Sequence, residues 1–160
     1  MEIKTDMNLQ MKNVISFRGK FDQKGLIDKK QEIDDIIKQL GVHPIHSAIT
    51  TTFGAVKTDE GQKMDMEILI PVDRDISHEV AMMKKEGLRF KPKFQLTNAV
   101  CIRHVGSEDK IGDSLKELKK FMEVRNMRPI TTGYNIPQND PEKPDEFIMD
   151  IMIGIDPNIL

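Results

Sequence analysis

The sequence is poor in residues on which several classes of protein depend. Its 160 residues include one cysteine, one tyrosine and no tryptophan. The single cysteine, Cys101, cannot form an intrachain disulfide, so the sequence predicts a protein of a reducing, cytoplasmic compartment. The charged N-terminus lacks the apolar core of a signal peptide, and no apolar run approaches the roughly 20 residues that cross a bilayer. We therefore expect no membrane partner.

Neither sign of charge dominates the chain. A formal net charge of -2 and a pI near 6.1 produce no long-range positive field, so nucleic acid is a poor default partner. One local basic cluster is an exception, and we interpret it as a solvated linker face rather than a phosphate-binding patch. Its members are Lys84, Lys85, Arg89, Lys91 and Lys93.

The signatures of common catalytic and cofactor sites are also missing. The chain has no P-loop, nucleophile elbow, HExxH segment or dinucleotide glycine fingerprint. Cys101 and His104 are three residues apart in a predicted strand, so their side chains point to opposite faces and a nucleophile–base pair is disfavoured. His43 and His46 have a ligand-like gap but no second Cys/His pair. We predict no catalytic residue, metal or cofactor.

What the sequence does contain is a repeat of itself. Shifted by 85 positions, residues 10–70 align without gaps on residues 95–155, with more identities than chance predicts. The period is too long for a solenoid and suits one domain made of two fused half-domains. We predict a single domain over 1–160, with repeat 1 at about 8–72, a linker at 73–93 and repeat 2 at about 94–157. The identities are at Gln10, Asn13, Arg18, Asp28, Glu32, Pro44, Ile45, Met64, Asp65, Ile68 and Ile70.

Each repeat is predicted to run strand, helix, strand, strand. Alternation of apolar residues indicates strands, and apolar residues at helical spacing indicate helices, the first of which ends at Gly41. A short linker helix over 77–86 is expected to close at Gly87. The predicted elements are a strand at 10–17, a helix at 26–40 and strands at 45–53 and 64–72, then a strand at 94–103, a helix at 111–127 and strands at 130–136 and 147–155.

Helices and strand faces must cover each other, which favours an α+β fold. We predict duplicated β-α-β-β repeats that form an antiparallel sheet, with two helices packed on one face and a groove between the repeats. The face under the helices should carry Met64, Met66, Ile68 and Ile70 and their counterparts Met149, Ile151, Ile153 and Ile155. The other face alternates with these and mixes acidic, thioether and small side chains, which favours a ligand groove.

The acidic residues of this second face have two interpretations. Glu67 either faces water, which is the commoner outcome, or is held in a groove with a raised pKa. Asp65 and Asp150 occupy equivalent places, where they either contact a ligand or form ion pairs with Arg18 and Arg103. The sequence leaves both alternatives open.

The duplicated pattern, the strand Glu67 to Val72 (EILIPV) and the turn Asn139 to Glu146 (NDPEKPDE) resemble the gyrase-inhibitor-like, or bacterial transcription-activator effector-binding, domain family. The resemblance extends from about Asn8 to Pro157. It implies a stand-alone member, because the chain has no room for a helix-turn-helix domain. It further implies a non-enzymatic module that binds a small amphipathic or cationic ligand.

Members of this family that bind cationic drugs place acidic and aromatic residues in the groove. Carried over, the resemblance implies a ligand site formed by Glu67, Tyr134, Asp150 and Met152. Because aromatics are only 5% of the chain, its eleven methionines are expected to supply much of the contact area. The alternatives are a protein-binding adaptor or accessory factor, in a secretion or toxin gene cluster, and a small-molecule hydrolase with Glu67 as base. Exposed strand edges would be compatible with a homodimer.

Overall fold

The computed structural model describes residues 2–139, 142 and 145–158. These residues form an α+β fold with antiparallel strand pairs, which confirms the predicted class. Half of the turn over 139–146 lies outside the described residues. The elements are β1 (Ile3–Phe21), α1 (Gln23–Gln39), β2 (Ile49–Thr58), β3 (Gly61–Pro71), α2 (Ser77–Met83), β4 (Leu88–Val105), α3 (Ile111–Val124, preceded by a 3-10 turn at Glu108–Lys110), β5 (Pro129–Gln138) and β6 (Ile148–Ile155).

The chain divides into two compact units. The N-terminal unit is Gln10–Phe94, and the C-terminal unit combines Met1–Leu9 with Gln95–Leu160. The predicted linker is wrong in its second half, because β4 already begins at Leu88. Leu88 and Phe90 alternate with charged residues and pack against the core of the N-terminal unit, as expected for a strand with one buried face.

In the N-terminal unit, β3 pairs in antiparallel fashion with both β1 and β2. The helix α1 covers one face of this sheet, where Ile33 and Ile37 share a core cluster with Ile68 and Ile70. Met66 lies against the same cluster, so the predicted helix-covered face is confirmed there. Met64 is an exception: it lies near the start of β3, opposite Phe21 at the end of β1, and is exposed.

The ends of α1 follow from local chemistry. The Asp22 side chain caps the helix, because its Oδ1 accepts a hydrogen bond from the backbone N–H of Gly25 at 2.6 Å. At the other end Gly41 adopts a φ of +68°, a left-handed conformation that glycine tolerates without strain. The predicted helix terminator is therefore confirmed, while the helix begins three residues earlier than predicted.

The C-terminal unit has the same plan around a different central strand. Here β6 lies between β4 and β5, antiparallel to both. Leu118 and Met122 of α3 share a core cluster with Ile102, Ile151 and Ile153. The predicted helix-facing residues of the last strand therefore lie where expected. None of the helices among the described residues is both long and apolar enough to span a membrane.

The segment between α2 and β4 brings two backbones into close contact. The helix α2 ends at Met83, where Lys84 takes a left-handed φ of +48°, so the prediction that it closes at Gly87 is wrong. Gly87 has another role. Its carbonyl accepts a hydrogen bond from the Arg18 N–H at 3.0 Å, and a Cβ at Gly87 would lie only 2.3 Å from the Arg18 oxygen. A side chain there would push β4 away from β1.

We predict that Gly87→Ala lowers the free energy of unfolding much more than Gly41→Ala. Both glycines have positive φ, so both substitutions introduce backbone strain of roughly 1–2 kcal/mol. Only at Gly87 does the new methyl group also meet a backbone oxygen, whereas the space at Gly41 is open. Urea denaturation of the two variants measures the difference. Equal losses would show that the contact between β1 and β4 relaxes freely.

Candidate functional site

The sheet face opposite α1 is buried and polar. Glu67 in β3 lies opposite Thr51 of β2, and Ser16 of β1 lies on the same face. Only 7% of Glu67 is exposed, and Ser16 and Thr51 are also buried. The expectation that Glu67 faces water is therefore wrong. Strand periodicity assigns a residue to a face but does not reveal whether that face is covered.

Glu67 has two close polar partners. The Ser16 hydroxyl donates to Oε2 at 2.5 Å, and the Lys91 ammonium donates to the same oxygen at 2.5 Å. A buried carboxylate is tolerated only when it is paired and hydrogen-bonded, and these contacts meet that requirement. The Lys91 side chain is 35% exposed and that of Glu67 is 9% exposed, so the lysine is the partner with access to water.

The prediction that the whole basic cluster is a solvated linker face is therefore wrong in part. Lys91 belongs to β4 and contacts Glu67, while Lys85 forms an ion pair with Glu32 of α1. The interpretation is wrong for these two residues because each lies within reach of a carboxylate that is distant in sequence. Spacing along the chain carries no information about such contacts.

Asp65 forms an ion pair with Arg18, which is one of the two predicted alternatives. The guanidinium donates through Nε to Oδ1 at 3.2 Å and through Nη2 to Oδ2 at 3.0 Å. This hydrogen bonding holds the pKa of the Asp65 carboxyl below its usual range. The same guanidinium lies 4.0 Å from the centroid of the Phe53 ring. Arg18 is more than half exposed, so the pair contributes little to stability.

The corresponding pair in the C-terminal unit is more enclosed. Arg103 donates through Nε and Nη2 to the two oxygens of Asp150 at 2.8 and 2.9 Å, and Asp150 is buried. Hydrogen bonding to Asp150 raises the pKa of Arg103. A cavity of about 50 Å³ adjoins the pair, lined in part by Lys4 and Met7. That volume holds about one or two waters and is far too small for a drug-sized ligand.

Three of the four predicted ligand residues lie on one face of the C-terminal unit's sheet. Met152 of β6 lies opposite Tyr134 of β5 and Cys101 of β4, and Asp150 is two residues away on the same face. Met152 is buried and Tyr134 is half-buried. The ligand roles of these residues and of Glu67 stay predictions, as does the groove between the repeats.

Sequence reasoning missed Ser16 and Lys91. A signal for Ser16 exists in the repeat alignment, because Ser16 and Glu67 align on Cys101 and Met152. A polar pair in one copy therefore replaces an apolar pair in the other, on strands predicted to be neighbours. Lys91 had no comparable signal, because its position in a run of basic residues resembles an ordinary solvated surface.

Cys101 is a buried thiol, and its surroundings make it unreactive near neutral pH. Burial raises its pKa to about 11, and the negative charge of Asp150 acts in the same direction. Since the thiolate is the nucleophilic form, the neutral thiol is inert near neutral pH. His104 lies on the opposite face of β4, in contact with α3 rather than with Cys101. The prediction that the two side chains point to opposite faces of the strand is confirmed.

A second polar cluster surrounds His104. Its Nε2 donates to the Ser107 carbonyl at 2.7 Å, so in the neutral ring Nδ1 accepts from the Ser114 hydroxyl, also at 2.7 Å. An open cleft of about 590 Å³ adjoins these residues. Ser114 itself is fully buried, so the pair fastens the first turn of α3 to β4 and does not present a nucleophile. Among the described residues, no group of three or more His, Cys, Asp or Glu could hold a metal ion.

We predict that iodoacetamide labels Cys101 slowly in the native protein at pH 8 and faster as the pH approaches about 11. The folded pKa lies above that of the unfolded chain. The contribution of the neutral thiol to stability is therefore complete below the unfolded pKa and is lost as the pH rises through about 11. Mass spectrometry of the labelled fraction measures the rate, with urea-unfolded protein as the control. Rapid labelling of native protein at pH 8 would contradict the burial.

No protein-family model and no curated protein matches the sequence. Solved structures do match. The chain is similar to EcmrR in an EcmrR–DNA complex, with a TM-score of 0.71 and 15% identity over 96% of this chain, and it spans 57% of that protein's chain. It is similar to the EcmrR C-terminal domain, with a TM-score of 0.66 and 15% identity over 98% of this chain and 99% of that one.

A third match is an uncharacterized conserved protein from Listeria innocua, with a TM-score of 0.60 and 18% identity over 97% of this chain and 91% of that one. Identities this low show the fold and nothing finer. The protein has the fold of the EcmrR C-terminal domain, and its resemblance to the gyrase-inhibitor-like effector-binding domain is confirmed at the level of the fold.

Proposed function

We propose that the protein binds small amphipathic cations and that the Glu67 carboxylate receives their positive charge. The observation that carries the proposal is the burial of this carboxylate on a sheet face, where only polar or cationic partners can offset its desolvation. A ligand cation at the same oxygen would form a charge-assisted contact in a medium of low polarity, where such contacts are strong.

Apolar contact area for a ligand would come from residues on the sheet face that also carries Glu67. Within the N-terminal unit, Leu69 follows Glu67 by two residues on the same face. Met152 and Tyr134 lie opposite each other on the sheet of the C-terminal unit, and the ligand contacts proposed for them belong to that unit. Methionine is flexible and polarizable, so it adapts to ligands of different shape. We assign Asp150 a supporting electrostatic role, since its charge is already paired with Arg103.

We also infer that the two units are copies of one ancestral unit. Residues 85 apart share features that are uncommon in proteins, notably left-handed backbone at non-glycine positions. The register differs, because Arg18 faces Glu67 whereas Arg103 faces Asp150 directly. The shared features are the left-handed residues Asn13 and Asn98, the left-handed residues Gly41 and Asn126, and the ion pairs Arg18–Asp65 and Arg103–Asp150.

Other parts of the functional assignment stay predictions. The net charge of -2 favours a small molecule over nucleic acid as the partner of this chain. A cytoplasmic location is inferred from its cysteine content alone.

We predict that Glu67→Gln weakens the binding of a lipophilic quaternary ammonium, such as benzyltributylammonium, by about 10- to 100-fold. That range corresponds to the roughly 1.5–3 kcal/mol that a hydrogen bond or contact with a charged group contributes. Isothermal titration calorimetry measures the affinity. The lipophilic anion octanesulfonate should not bind the wild-type protein.

Glu32→Gln is the matched control, because it makes the same change from glutamate to glutamine in the same unit, at a carboxylate that pairs with Lys29 and Lys85 rather than with Lys91. It should leave the affinity almost unchanged. Absence of binding to every protein that retains Glu67 would contradict the proposal. Equal losses in the two variants would show that the cation responds to overall charge rather than to the buried carboxylate.

A further inference from the structure

Glu67 already contacts a cation that belongs to the protein. The Lys91 ammonium lies 2.5 Å from Oε2, the same oxygen that accepts the Ser16 hydroxyl. This is the position that the proposed function assigns to the charged group of the ligand. A ligand cation packed against this oxygen would lie within several ångströms of the Lys91 ammonium, and the two positive charges would repel each other in a medium of low polarity. The ligand and Lys91 are therefore alternatives.

A second cation near Glu67, the Arg18 guanidinium, is already paired with another carboxylate. Arg18 lies directly opposite Glu67 in the ladder between β1 and β3, yet its guanidinium forms two hydrogen bonds with Asp65. A two-point contact of this kind fixes the guanidinium in place. Lys91, by contrast, makes a single-point contact through a flexible four-carbon chain.

The two members of the Lys91–Glu67 pair differ in their freedom to move. Glu67 is held in the middle of β3, with strands on both sides. Lys91 is partly exposed, so its ammonium can turn into water while its backbone stays in β4. Long lysine side chains commonly keep their stems on apolar surface and their charged ends in solvent. Lys91 is therefore the partner that can leave, and its departure uncovers the carboxylate.

Resting on the proposed function, we propose that Lys91 is an intramolecular competitor that occupies the Glu67 site until the charged group of a ligand displaces its ammonium. A ligand must then replace the charge that leaves and also gain apolar contact, because the exchange of one cation for another has little net benefit. This selects lipophilic organic cations over small hydrated ions. Neutral molecules cannot displace Lys91, because they would leave Glu67 buried without a cation.

The test compares Lys91→Met with Lys85→Met. Each substitution removes one ammonium from an ion pair in the N-terminal unit, but Lys85 contacts Glu32 rather than Glu67. We expect Lys91→Met to bind benzyltributylammonium at least tenfold more tightly than the wild-type protein, measured by isothermal titration calorimetry. Lys85→Met should bind it as the wild-type protein does. In the double variant Lys91→Met, Glu67→Gln the gain should vanish.

Removal of Lys91 leaves a buried carboxylate without its cation and is expected to lower stability. Lys91→Gln is therefore measured in parallel, because its amide can still donate a hydrogen bond to Glu67. Wild-type binding with no gain in either neutral variant would overturn the competitor role and leave the proposed function standing. Binding by a neutral variant but not by the wild-type protein would support both. No binding by any protein with Glu67 intact would overturn both.

Discussion

The second half of β3, from Glu67 onward, and most of β6 are buried on both faces, and this burial limits where a charged side chain can lie in these strands. Ile68 and Leu69 point to opposite faces of β3 and both are fully buried. A carboxylate in such a strand is costly by several kcal/mol unless a cation and hydrogen bonds accompany it. Glu67 and Asp150 therefore each hold a basic partner, and these pairs define the polar chemistry of the two units.

The two units satisfy this constraint in different ways. In the C-terminal unit a planar guanidinium grips Asp150 at two points, which gives a fixed structural pair. In the N-terminal unit the Lys91 ammonium contacts Glu67 at one oxygen, which constrains the lysine side chain less. Ser16 lies beside Glu67, and Cys101, which aligns with Ser16 in the sequence repeat, lies near Asp150. The N-terminal unit therefore has a hydroxyl where the C-terminal unit has an unreactive thiol. Two units with the same strand and helix plan thus hold their buried acids with different geometries.

Periodicity and turn chemistry predict most of the fold. The helix that ends at Gly41 and the helix-covered faces of β3 and β6 follow from them, because apolar spacing and a left-handed terminator are local signals. The first strand begins at Ile3, earlier than predicted. The prediction missed this part because Asp6 takes a positive φ, which interrupts the alternation of the strand there. The beginning of β4 is hidden for a different reason, since its apolar residues lie within a basic run.

The candidate site was only half predictable. Glu67 stands out as an acid in an apolar strand, but its burial depends on what covers the second face, and no local pattern contains that information. Its partners come from strands that are 51 and 24 residues away in sequence. The ion pairs of Arg18 and Arg103 could be anticipated, because the sequence has the same base and the same acid at positions 85 residues apart.

The close contact at Gly87 limits what the proposed displacement of Lys91 would change in the protein. Its close approach to the Arg18 backbone anchors the start of β4 only four residues before Lys91. Reorientation of this lysine is thus a rotamer change on a stationary main chain. Ligand binding would expose one additional hydrated ammonium, that of Lys91. It would therefore change the surface potential of the protein rather than its shape.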